Sequence, residues 1–444
     1  MTFEAPDLAR RLAALTRDDP PRRWLVGYSG GIDSGVLLHA MTRTATLPVV
    51  AVHVNHGLHA DADAWQSRCE ATARAYGADF HALHVAIPER YEQGPEAAAR
   101  AARYAAFESF VDDGDCLLSA HHELDQAETL LLNLMRGSGP AGLAAIRPLQ
   151  AFGRGRLLRP LLGVSRADIE DYARSHDVEW IDDPSNADTR FDRNFLRREV
   201  LPLLGSRWPA AGRRLARSAE LAAEASDLLD DLADLDIGRC GNPARLSVTA
   251  LATLKPARQR NLLRRAVRRL GLPPPPATRL HQVQDVLLPA RADAMPLVEW
   301  QGAEVRRYRD CLYLLPPLPP PATGGRLVAD GPGLALGVGL GELALESGAA
   351  AGIDPATAAA GLEVRFRAGG EALRVADDGP QRSVKNLLQE RGVLPWYRPY
   401  LPFLYADDEL VAVGDLWLNA AARTSPGCAV RWRDRPPIEA APDC

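Results

Sequence analysis

The sequence predicts an α/β fold: a doubly wound parallel sheet, followed by a helical domain and a small α+β C-terminal domain. Three observations carry this expectation. Up to about Leu143, short β-rich runs (Trp24–Tyr28, Val49–Val54, Phe80–Val85 and Cys116–Ala120) alternate with amphipathic or alanine-rich stretches. That is the rhythm of right-handed β–α–β crossovers. The stretch from about Ala211 to Leu235 is a long alanine- and leucine-rich helical pattern, and Leu315–Gly325 (LPPLPPPATGG) is a proline- and glycine-rich linker.

At 444 residues the chain exceeds the size at which one hydrophobic core keeps growing. The expected division is 1–212, 213–318 and 326–432. In the first segment, Ser165 reads as the N-cap of a helix running to His176, with Asp168 three residues on. Pro273–Pro276 reads as a joint between two helices of the second. In the third, Leu362–Ala368 and Glu409–Leu418 read as strands, and Gly331–Gly341 reads as short strands with tight turns, because no helix signal follows it.

Hydrophobic residues make up 46% and charged residues 25% of the chain, an ordinary globular composition. No stretch approaches the roughly 20 apolar residues of a membrane span. Met1–Leu15 mixes acids, arginines and short apolar pairs and lacks the features of a secretory signal, so a cytoplasmic location with no membrane partner is expected. The six cysteines show no C-x-x-C pair and no histidine at zinc-ligand spacing, which argues against a metal or disulfide framework. The net charge of −5 says little, because the charge is segregated. Lys255–Arg269 holds seven bases and no acid, whereas Glu224–Asp236 holds six acids and no base. A phosphate-facing surface and a solvated arginine-rich helix both fit the basic run.

The strongest local signal is Ser29-Gly30-Gly31-Ile32-Asp33-Ser34, directly after an apolar strand and directly before an apolar-periodic helix. Paired glycines let the backbone approach an anion closely, and the helix N-terminus offers unpaired N–H groups. Ser29 and Ser34 can donate to phosphate oxygens. Asp33, a carboxylate where anions bind, makes sense chiefly as a Mg²⁺ ligand. A turn whose serines and aspartate merely cap the helix would carry the same residues.

Two further clusters fall at strand ends, where ligands of such sheets bind. The second strand ends in His53-Val54-Asn55-His56-Gly57-Leu58, and the fourth leads into His121-His122-Glu123-Leu124-Asp125-Gln126-Ala127-Glu128. With a helix starting near Leu124, Asp125 and Glu128 share a face. Such a group could position Mg²⁺, bind an ammonium ion or accept a proton from an attacking amine. Further on, Arg193 and Arg197 stand one helical turn apart; they could reach a phosphate, or belong to a helix that packs Phe195 and Leu196 inward.

SGGIDS resembles the pyrophosphate loop of the N-type ATP pyrophosphatases (the PP-loop superfamily, Rossmann-like), and it lacks the lysine of a Walker A loop. The resemblance narrows with the segments at His53–Leu58 and His121–Thr129, with Arg136–Leu143 (RGSGPAGL), Arg159–Leu162 (RPLL), Trp180–Asn186 (WIDDPSN) and Phe191–Arg197 (FDRNFLR). Together these are similar to the tRNA(Ile)-lysidine synthetases, over most of the chain and least between about 215 and 360. Two positions depart from that pattern: His59 replaces an arginine, and Leu124 replaces the first of two aspartates. The resemblance implies that ATP and Mg²⁺ are bound through Ser29–Ser34 with His53 and Asn55, and that Asp33 is the metal ligand. It also implies catalytic work by Asp33, His121, His122, Asp125, Glu128, Arg193 and Arg197.

The implied reaction adenylates the C2 carbonyl oxygen of the wobble cytidine in a tRNA(Ile) with a CAU anticodon, after which free L-lysine displaces AMP. A homodimer is compatible with the same resemblance. Arg382–Arg398, with Trp396, resembles the family's tRNA-binding C-terminal domain, and its aromatics would stack on splayed bases. Two rival readings keep the same loop: a tRNA sulfur transferase, which would be expected to carry C-x-x-C pairs, and a catalytically inactive tRNA-binding module.

Overall fold

The computed structural model describes residues 3–57, 61–86, 95–182, 188–291, 294–320 and 324–440. Leu58, His59, Asp183–Asn186, the centre of the 315–325 linker and Cys444 lie outside the described residues. The chain forms two compact units, Met1–Leu229 and Asp230–Cys444.

The first unit is built on the expected strands: β1 Arg23–Gly27, β2 Val49–Asn55, β3 Asp79–His84 and β4 Asp115–Leu118. A hairpin absent from the sequence reading, β5 Leu149–Phe152 and β6 Gly155–Leu158, completes a six-stranded sheet in the order β3-β2-β1-β4-β6-β5. Every pairing in it is parallel except that of β5 with β6. α1 Ala5–Leu15 precedes the first strand, and α2 Ile32–Thr44, α3 Ala62–Ala75, α4 Pro95–Phe110 and α5 Glu123–Met135 follow β1, β2, β3 and β4 in turn. After the short α6 Pro140–Leu143 comes α7 Arg166–Ser175, where Ser165 caps the backbone N–H of Asp168 as its spacing predicts.

β1 is buried from Trp24 to Val26 and sits between β2 and β4, so apolar helices cover both faces of the sheet. The chain order reverses at β1, with β2 on one side and β4 on the other. The loops after β1 and β4 therefore diverge and leave a crevice at the carboxyl ends, where doubly wound sheets bind ligands.

α8 Asp192–Phe195, a π-helical turn Leu196–Val200 and α9 Leu201–Arg207 lead into α10 Ala211–Cys240. The second unit has one core at 237–314, where α11 Val248–Ala252 and α12 Pro256–Arg269 pack on a five-stranded antiparallel sheet. A β-rich core follows at 311–438. The strands predicted there form at Leu362–Phe366 and Glu409–Val413. Cys69, Cys116, Cys240 and Cys428 are free and buried. No helix among the described residues is long and apolar enough to cross a membrane.

Two RNA-binding expectations change in the second unit. Four arginines of α12 are paired within the chain: Arg258 with Asp236, Arg265 with Asp230 and Asp234, Arg268 with Asp230, and Arg269 with Asp234. The basic run thus lies on the acidic run that the sequence displays separately, and much of its charge is neutralised there. Nor is Trp396 an exposed stacking surface. It is 6% exposed and packs edge-on to Tyr313 at 5.0 Å between centroids, as a core residue.

Candidate active site

The loop after β1 is shaped by glycine where a side chain could not stand. Gly30 has φ +84°, and a Cβ there would lie 2.8 Å from Cys69 Sγ and 3.1 Å from Ile181 Cδ1. Ser34, in the first turn of α2, accepts from the backbone N–H of Ser29 at 3.2 Å and donates to the Gly31 carbonyl at 3.0 Å. The Ser29 and Ser34 hydroxyls stand 3.1 Å apart. The serines therefore close the turn as capping residues do, while both still face the crevice.

Asp33 projects from the same first turn. Its Oδ1 accepts from Arg166 on α7 at 2.7 Å and lies 3.7 Å from His122 Nε2. Burial lifts its carboxyl above the usual value, against the pull of His122 and Arg166. Such a carboxylate gains from another cation nearby.

α5 opens with His122 as its N-cap. Its Nδ1 accepts from the Leu124 N–H at 3.3 Å, which leaves Nε2 as the protonated nitrogen, and its own N–H donates to Asp125 Oδ2 at 2.9 Å. Asp125 is buried, which opposes ionisation, yet His122 and Arg193, with the hydrogen bond from the His122 backbone, hold its carboxyl below the usual value. It remains an anion. Glu128, one turn on, is fully buried and saturated: Arg193 Nε donates at 2.7 Å and Arg197 Nε at 2.6 Å. The same two guanidinium groups reach Asp125 Oδ1 at 3.3 and 3.2 Å. Phe195, between them, is 47% exposed, so the short helix does not pack it inward.

A cavity of 390 Å³ gathers most of the predicted residues: Ser29, Gly31, Asp33, Ser34, His53, Asn55, His121 and Asp125 line it. Gly30 and Ile32 support the loop from behind, Ile32 within the core. His122, Glu128, Arg193 and Arg197 are not among the lining residues and stand behind Asp125. His53 donates from Nδ1 to the Tyr28 carbonyl at 2.9 Å, and burial lowers its pKa, so it is neutral. Asn55 binds Asp63 and Gln66, each at 3.0 Å, and accepts from the Gly57 N–H, tying the turn after β2.

Sequence reasoning missed several contributors. Arg166 looks like an ordinary residue after a capping serine, and Tyr104 and Phe107, which line the far wall, sit in an alanine-rich helix without a motif. Ser119 opens the run that carries the histidine pair at the end of β4, but sequence alone gives it no role of its own; it stands 2.6 Å from His121 Nδ1.

His121 supplies a test by pH. Burial, with Arg159 and Arg193 adding to it and Asp125 opposing, pushes its pKa from 6.5 down to about 3. The unfolded chain therefore binds a proton that the folded chain refuses, and this residue's contribution to stability falls as pH drops from 6.5 toward about 3. Denaturant unfolding of His121→Gln should show a shallower loss across that window than the parent. Equal slopes would mean that the folded ring titrates normally.

Residues 4–204 match the family described as PP-loop domain, 246–313 the TilS substrate binding domain, and 362–433 the TilS substrate C-terminal domain. The chain is 44% identical over 425 residues to the tRNA(Ile)-lysidine synthase of Alkalilimnicola ehrlichii, covering 95% of each. The chain belongs to the tRNA(Ile)-lysidine synthases. It is 41% identical to the synthase of Xanthomonas campestris pv. campestris, covering 96% of this chain and 98% of that one, and 41% identical to that of Methylococcus capsulatus, covering 92% and 94%. It is accordingly a tRNA-modifying ligase built on a PP-loop domain. Of the two departures from the synthase pattern, Leu124 sits in the first turn of α5, where its Cδ2 would be 3.3 Å from a Cβ on Gly212. It fills a helix contact there instead of offering a carboxylate.

Proposed function

We propose that the chain uses ATP to adenylate the C2 oxygen of the wobble cytidine in a tRNA(Ile) with a CAU anticodon, and then joins lysine to that carbon. Residues 1–212 would be the catalytic domain, with 213–318 and 326–432 as tRNA-binding domains. The observation that carries this reading is the meeting of the phosphate loop and the His121–Asp125 segment across one cavity at the switch point of the sheet.

In the first step the cytidine O2 attacks the α-phosphorus, the bond to the β-phosphate oxygen breaks, and pyrophosphate leaves. Ser29, Ser34 and the N–H groups opening α2 bind the phosphates. In the second, a lysine amine attacks C2, loses a proton, and AMP departs with the former O2. Asp125, ionised and facing the cavity, would hold the incoming ammonium ion or take its proton. Glu128, already bound to two arginines, would set the positions of Arg193 and Arg197 instead of meeting lysine itself.

Mg²⁺ fits this arrangement. Among the described residues no cluster of three or more His, Cys, Asp or Glu could hold a metal by itself. A cation would rest on Asp33 together with the phosphates of ATP, the usual mode for Mg²⁺, and would neutralise charge on the transferring group. Purified protein incubated with ATP, labelled lysine and tRNA should place the label in tRNA carrying a CAU anticodon. Sulfur incorporation, or RNA binding with no ATP-dependent labelling, would select one of the rival readings.

A further inference from the structure

With Trp396 in a core and α12 paired to its own acids, the exposed aromatic surface lies elsewhere. Among the described residues the exposed Phe and Trp side chains are Trp180, Phe195 and Trp208, all in the first unit. Phe195 and Trp208, 47% and 49% exposed, lie in 190–217, a segment with eight arginines against two acids. Five of those arginines contact carboxylates. Arg198, Arg207 and Arg214 form no ion pair among the described residues, and the Arg207 guanidinium lies over the Trp208 ring at 5.9 Å.

This surface is tied to the catalytic helix at both ends. Upstream, Arg193 and Arg197 grip Glu128 of α5. Downstream, Gly212 packs so closely on Glu123 and Leu124 that an added Cβ would be 3.3 Å from each. The exposed aromatics therefore lie within four residues of these two attachments to the helix that carries Asp125.

We infer that Phe195 and Trp208, set among the arginines of 190–217, are a stacking platform for unpaired bases of the anticodon loop. The inference rests on the proposed tRNA substrate and extends it to the residues that hold the loop. An aromatic face accepts any splayed base, and the unpaired guanidinium groups supply the contacts to phosphate. The excess of positive charge favours RNA over a second protein surface. A duplex, with its bases stacked internally, gives these rings nothing to receive.

The test uses the full chain and a stem-loop RNA with a CAU anticodon that carries a fluorescent purine analogue in the loop. Phe195→Ala and Trp208→Ala should each weaken binding about 5- to 150-fold and diminish the stacking-dependent change in fluorescence, while retaining most of the salt dependence. Phe195→Tyr and Trp208→Tyr should restore both. Replacing Arg198, Arg207 and Arg214 with Gln should instead flatten the log–log salt slope, by roughly 0.7 for each phosphate that is no longer neutralised. Parental affinity and fluorescence in the alanine variants would overturn the platform. So would an altered sedimentation coefficient with unchanged RNA binding, which would mark a protein-binding face. If the parent failed to bind the stem-loop, the functional reading would fall first, and the platform with it.

Discussion

Asp33→Asn is expected to reduce ATP–pyrophosphate exchange by about 10²- to 10³-fold while leaving tRNA binding near the parental level. The magnitude is that of removing one electrostatic contact to a transferring group in a water-poor site. The substitution keeps the shape of the side chain and of the first turn of α2, so the serine hydrogen bonds that close the phosphate loop should persist. What it removes is the negative charge, held 2.7 Å from Arg166 and lifted above its usual pKa by burial. An amide there cannot attract a divalent cation as the carboxylate does. A filter-binding assay with tRNA, run beside the exchange assay, separates lost chemistry from lost folding. Exchange at the parental rate would remove Asp33 from the phosphate-activating machinery and leave it as a partner of Arg166.

The phosphate loop was legible because its residues are contiguous: strand, Gly-Gly turn and helix start fall within Trp24–Ser34, and backbone geometry alone makes that order an anion site. The strands were legible for a similar reason, since each is a short apolar run bounded by turns. β5 and β6 escaped because four-residue strands around a tight turn at Gly153 leave too few residues for a period to show. Arg166 escaped because it reaches Asp33 across 133 positions of sequence.

Charge and aromatic content misled where the partner was part of the same chain. The acids of 224–236 and the bases of 255–269 look like two surfaces in sequence, and the fold sets four of the seven bases against three of the six acids. Trp396 and Phe195 reverse in the same way. The first stands in a segment that looks like an RNA-binding tail and is buried; the second turns inward on one of the two readings of its helix and is exposed. The spacing of Asp125 and Glu128 fixed that they share a helix face, but not that Glu128 would lie at 0% exposure with both oxygens occupied.

That burial makes the arginine pair the second large lever on the protein. Glu128 is a fully buried carboxylate whose charge is tolerated because Arg193 and Arg197, 23% and 35% exposed, both bond to it. Burial lowers the tendency of Arg197 to stay charged, yet its hydrogen bond to Glu128 and the negative charges of Glu128, Asp125 and Asp33 together outweigh burial and hold its pKa above the usual value. Removing both guanidinium groups strands the anion. The Arg193→Ala, Arg197→Ala double variant should therefore lose about 3 to 5 kcal/mol of stability, the cost of breaking a buried pair from one side. In a unit of this size that is a Tm lower by roughly 6 to 20 °C in calorimetry. Adding Glu128→Met removes the stranded charge and fills its volume, so most of the lost stability should return. Activity should not return with it, because the proposed role of the clamp is to hold two cations beside Asp125, and methionine restores packing without them. Lysine transfer measured in the triple variant decides the point: recovery of both Tm and turnover would reduce Arg193, Arg197 and Glu128 to a packing element, whereas recovery of Tm alone places them in the chemistry.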